Sequence, residues 1–94
     1  MDIEFPTNWN DLESFEISSK GWLGGVRALA KTGDVFELTF YDPVRLSQGI
    51  EDEHKSGKIG FVERGLIVVP EVTKQNIELA IEQAEKEGYF EKNI

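Results

Sequence analysis

Leu66-Ile67-Val68-Val69-Pro70, followed by the run from Thr73 to Glu87, is the stretch on which the reading of this chain turns. Four consecutive apolar residues, mostly β-branched, stop at a proline, as a short strand does. An unbroken apolar run of this kind predicts a strand central in its sheet or covered on both faces. Beyond Thr73, residues Ile77, Ala80, Ile81 and Ala84 recur at i, i+3, i+4 and i+7, which draws one apolar stripe along a helix. Glu82 and Lys86 are spaced to pair across one turn of its outer face. Gly88 suits the helix end, and Tyr89 and Phe90 are placed to fold back onto the last turn. This unit is a scaffold, and it carries no catalytic motif.

Working back along the chain, Ile59 and Phe61 alternate within residues 58–62, predicting a strand paired with residues 66–69 across Glu63-Arg64-Gly65. Asp42-Pro43 marks a helix start, with aspartate as N-cap and proline at the first helical position. Leu46 and Ile50 lie one turn apart on that helix, and Ser56-Gly57 closes it. Gly49 inside it predicts a close approach of another backbone. Residues 18–42 read as a hairpin. Its first arm spans residues 23–31 and its second Val35 to Tyr41, with Phe36, Leu38 and Phe40 on one face and Gly33 in the turn. Residues 1–13 are expected to be irregular and packed on the body through Phe5, Trp9 and Leu12. Asn10 is placed to start a short helical turn there, and Phe15-Glu16-Ile17 alternates as a short edge strand. Residues 91–94 are expected to fray.

The expected fold is therefore α+β, a mostly antiparallel sheet of four to five strands with two helices on one face. The expected order is (β)ββ-α-ββ-α in a single domain over residues 1–94.

Eighteen acidic and ten basic side chains give a net charge of −8. A surface this negative disfavours nucleic-acid backbones and anionic membranes, and it attracts basic partners. Without cysteine the chain has no disulfide, thiolate nucleophile or cysteine-held metal. Met1-Asp2-Ile3-Glu4 lacks the basic and apolar regions of a secretion signal, and the expected location is cytoplasmic.

Candidate chemistry is sparse. Glu51-Asp52-Glu53-His54 collects three carboxylates beside the single histidine. Neighbouring helical residues point about 100° apart, however, so they do not converge on one ion. Glu51 with Lys55 reads instead as a surface pair. His54 has no serine in a nucleophile elbow to serve, so a helix-terminal role outweighs a catalytic one. Gly21-Trp22-Leu23-Gly24-Gly25 lacks the lysine and helix start of a phosphate loop. Its glycine pair suits a β-bulge, and Trp22 reads first as a packed residue and second as a partner anchor. Tyr41 and Asp42 lie at a strand-to-helix junction, where capping by Asp42 is the better account.

The expectation is a small acidic protein-binding or adaptor module, in the manner of a stoichiometric inhibitor or immunity-type partner of a basic protein. It is expected to be no enzyme, to need no cofactor, and to bind neither nucleic acid nor membrane. The candidate partner-binding residues are Trp22, Tyr41, Glu51, Asp52 and Glu53. The alternative is a self-associating structural subunit that uses a strand edge or an aromatic patch. A ligand binder or enzyme built on the acidic helix around His54 ranks last.

Overall fold

A computed structural model describes residues 1–91, which form four strands and three helices. Along the chain these are β1 (Asp2–Glu4), α1 (Asp11–Lys20), β2 (Trp22–Leu29), β3 (Val35–Tyr41), α2 (Pro43–Lys55), β4 (Leu66–Val68) and α3 (Lys74–Lys86). The class is α+β. The sheet is mixed, in the order β1-β2-β3-β4: β1/β2 and β2/β3 are antiparallel, and β3/β4 is parallel.

The expected hairpin forms as β2 and β3, paired from Trp22↔Tyr41 to Leu29↔Val35 with a register shift between Leu23 and Val26. Residues three apart on a regular strand face opposite ways. The bulge at Gly24-Gly25 turns Leu23, Val26 and Ala28 to the same side, where all three are buried. Opposite them lie Leu38 and Phe40, both sealed from solvent. Ile77 and Ile81 of α3 close this core from above, joined by Val69 and Val72 of the preceding loop and by Ile17 of α1. Two helices thus share one face of the sheet, but they are α1 and α3.

Several expectations need correction, the order among them: it is β-α-β-β-α-β-α with three helices, not (β)ββ-α-ββ-α with two. Residues 15–17 belong to α1 and not to an edge strand. Asn10 caps that helix by accepting the Glu13 amide at 2.9 Å, and Asp11 and Glu13 in the first turn with Lys20 in the last suit its dipole. The 1–13 segment is not wholly irregular, because Asp2–Glu4 pairs with β2, and an Arg27–Glu4 bridge of 3.0 Å spans that pair. Residues 58–62 form no strand: Ile59 is 96% and Val62 94% exposed. Gly60 in their midst offers no side chain to pack. Finally, β4 is an edge strand and not a central one. It pairs with β3 in parallel, and residues 42–65 supply the long crossover that parallel pairing requires.

The starts of α2 and α3 fall where the caps place them. Asp42 accepts the Arg45 amide at 2.7 Å, and Thr73 accepts the Asn76 amide at 3.1 Å. The Lys86–Glu82 pair forms at 3.2 Å. Phe90 folds back to meet Phe36 with ring centroids 5.0 Å apart. The expected frayed tail lies, beyond Glu91, outside the described residues. α2 stands apart from the core and buries no residue. The space beside its Gly49 is filled by the Phe61 ring, 2.9 Å from where a β-carbon would sit, so a side chain and not a backbone makes the close approach.

Candidate functional site

Strand alternation sends Trp22 and Tyr41 to the sheet face opposite the core, side by side as a cross-strand pair. Their surroundings differ. Tyr41 is 8% exposed, covered by the Phe61 ring at 5.7 Å in an edge-to-face arrangement. Its hydroxyl donates to Glu63 Oε2 at 2.8 Å. Burial, and then the hydrogen bond to Glu63, raise the Tyr41 pKa above 10.0, while the Trp22 indole and the Arg45 charge act in the opposite direction. The protonated phenol is therefore favoured by the folded chain. Its contribution to stability is complete below pH 10.0 and is lost as the pH rises through the folded-state pKa. Alkaline titration followed by near-ultraviolet circular dichroism is expected to show a destabilisation above that pH which Tyr41→Phe lacks. An unchanged alkaline midpoint in Tyr41→Phe would show that other groups control it.

Trp22 is 39% exposed. Its ring lies across Gly24, where an added β-carbon would come within 2.8 Å of the indole. The glycine is thus the floor on which the indole rests. Trp22 borders two open hollows. One, of about 310 Å³, has Glu13, Glu16, Pro6 and Thr7 around it, with Lys20 shared. The other, of about 440 Å³, is lined by Ser19, Lys20, Arg45 and Gln48. Glu13 Oε2 is buried and makes no hydrogen bond among the described residues.

The acidic stretch of α2 follows Arg45 and Gln48, the two residues of that helix beside Trp22. Glu51 and Asp52 are exposed, and Glu51 lies with Ile50, His54, Lys55 and Ile59 around a third hollow of about 310 Å³. Glu53 is half-buried and paired with Lys58 at 3.1 Å, which neutralises one of the three acids. No Glu51–Lys55 bridge forms among the described residues. Three or more potential metal-ligating side chains nowhere converge among the described residues. The structure thus joins Trp22 to Tyr41, whereas Glu51 lines a different hollow.

Glu13 and Glu16 beside Trp22, and Phe61 and Glu63 on Tyr41, are neighbours that sequence reasoning did not place there. The first two were hidden by reading α1 as irregular chain and an edge strand. The last two were hidden by reading residues 58–62 as a strand with a turn after it. Among the described residues, no helix is long and apolar enough to cross a membrane. No protein-family model matches the chain, and no curated protein or solved structure is significantly similar to it.

Proposed function

We propose that this chain is a protein-binding module that receives a basic partner at Trp22. The observation that carries this reading is the hollow beside the indole, where Glu13 and Glu16 bring two carboxylates to the edge of a half-exposed aromatic. A lysine or arginine side chain suits both, pairing with the carboxylates and stacking on the ring. The net charge of −8 would draw such a partner in and speed encounter, with an affinity that falls as salt rises. Trp22 rests on Gly24 and borders Tyr41, so little side-chain freedom would be lost on binding. Glu51 and Asp52 contribute in this reading to long-range attraction and not to the contact itself.

Capture from lysate with the wild-type chain and with Trp22→Ala as paired baits tests this. A basic protein retained at low salt and released at high salt is expected. Trp22→Ala should weaken its retention by roughly 30-fold, the effect of losing an aromatic hot spot worth about 2 kcal/mol. Glu13→Gln together with Glu16→Gln should reduce the salt dependence. Equal retention by the Trp22→Ala bait, with its circular dichroism unchanged, would remove Trp22 from the interface.

A further inference from the structure

The edge of β4 is built differently from the opposite edge of the sheet. At the far edge, β1 carries Asp2 and Glu4, charges of the kind that protect an open strand from pairing. On β4 and its flanks, residues 65–70 read Gly-Leu-Ile-Val-Val-Pro, with no charge in an otherwise strongly acidic chain. Two hydrogen bonds fix which way its backbone faces. Thr39 N–H donates to the Gly65 carbonyl at 2.9 Å, and Val69 N–H donates to the Tyr41 carbonyl at 2.9 Å. Both therefore point inward to β3. Backbone groups alternate side to side along a strand, so those of Ile67 also point inward. The N–H and C=O groups of Leu66 and Val68 then point outward, to an edge that no other strand covers among the described residues. Beside that edge runs a groove of about 220 Å³, walled on the α3 side by Ala80, Gln83, Ala84 and Glu87. Its two alanines keep the helix wall low.

We infer that this edge is the seam of a homodimer, in which β4 of one copy pairs antiparallel with β4 of a second to continue the sheet from four strands to eight. The register follows from the outward groups. A two-fold axis through Ile67 sets Leu66 of each copy opposite Val68 of the other. Those are the residues whose amides and carbonyls face out, and each such pair exchanges two hydrogen bonds. The flanking charges agree with this register. Arg64 and Glu71 flank β4 on opposite sides, so the antiparallel arrangement brings each Arg64 to the end of the seam where the other copy's Glu71 leaves the strand; that carboxylate accepts the Ser18 hydroxyl of its own chain at 2.7 Å and keeps its charge. Among the described residues Arg64 has no ion-pair partner in its own chain. Glu63, the acid that would meet Glu71 in register, is instead turned inward to the Tyr41 hydroxyl. The seam itself is uncharged while each copy carries −8, so the long-range charge opposes dimerisation and screening favours it. This salt response is opposite in sign to that expected for the basic partner at Trp22, so the two proposals stand or fall separately.

Sedimentation velocity over a range of concentrations, at about 0.05 M and about 0.5 M salt, tests the inference. The expected result is a monomer–dimer equilibrium that is tighter at the higher salt. Val68→Pro removes an amide hydrogen that points away from β3, and proline is tolerated on an edge strand when its missing N–H faces out. It should leave the thermal unfolding of the monomer in place and raise the dimer dissociation constant by about tenfold or more. Hydrogen exchange gives a second readout on the unaltered chain. The Leu66 and Val68 amides should gain protection as concentration rises, while that of Ile67 stays protected throughout. A monomer at every concentration and both salts would overturn the inference. So would a dimer that Val68→Pro leaves intact, or one that salt dissociates. Concentration-independent exchange at Leu66 and Val68 in a dimer would place the seam on another face and overturn it equally.

Discussion

Phe40→Ala is expected to cost about 3–5 kcal/mol, among the largest losses a single side-chain truncation can cause in this chain. Phe40 is fully buried at the middle of the core cluster. It faces Leu23 across the β2–β3 pair and Ile67 across the β3–β4 pair. Removing its ring forfeits the burial of an aromatic side chain and leaves a cavity between the sheet and the α1–α3 layer. A domain of this size has roughly 5–14 kcal/mol of stability in total, so the variant should be close to unfolding at physiological temperature. Urea unfolding is the appropriate measurement, with a lowered midpoint and an unchanged slope. The comparison variant is Ile59→Ala, an equally apolar change at a residue 96% exposed, expected to fall within about 0.5 kcal/mol of wild type. A loss for Ile59→Ala comparable to that for Phe40→Ala would mean that residues 58–62 pack as a strand after all.

That contrast also shows what was legible in the sequence. Where one local interaction decides the structure, residue type was sufficient. Asp42 before Pro43 and Thr73 before the α3 stripe each supply a side-chain oxygen to an amide three residues on, and both helices begin there. Phe36, Leu38 and Phe40 alternate as a half-buried strand must, and the Gly24-Gly25 pair marks the bulge that keeps Leu23 and Val26 on one face. Where the deciding interaction is distant, the local pattern misled. Phe15-Glu16-Ile17 alternates like a strand, yet Asn10 had already capped a helix upstream and only Ile17 of the three reaches the core. Leu66-Ile67-Val68 is as apolar as a central strand, but its neighbour on one side is a strand 24 residues earlier in the chain, and no described residue pairs with its other side. No local signal distinguishes an edge left open from a strand covered on both sides. Of the five candidate binding residues, Trp22 and Tyr41 are adjacent because the hairpin register makes them so; the two arms were readable, but their register, shifted by the bulge, was not. The carboxylates beside Trp22 come from α1 and were not.

Gly65→Ala should cost roughly 3 kcal/mol, and the loss should fall on the β3–β4 junction rather than on the whole core. Two penalties combine. Gly65 has φ of +69°, a left-handed conformation that costs a residue with a β-carbon about 1–2 kcal/mol. An added β-carbon would also overlap the Glu37 carbonyl oxygen and lie 3.4 Å from Leu38 Cα, both of them backbone atoms that cannot rotate away. Relief requires β4 to lift from β3, which would break the bond from Thr39 N–H to the Gly65 carbonyl. Overpacking against rigid atoms contributes about 1–3 kcal/mol more. Gly33→Ala separates the two penalties. Its φ is +92°, and a β-carbon there meets nothing within 4 Å, so only the backbone strain applies. Thermal unfolding should rank the pair with Gly65→Ala clearly the worse. Hydrogen exchange on Gly65→Ala should show the Ile67 and Val69 amides opening while the β2–β3 pair remains protected. Equal losses for the two alanines would mean that the chain around Gly65 yields without cost. The close seating of β4 on β3 would then be no constraint on the fold, and an edge so loosely held could not set the register of a second copy.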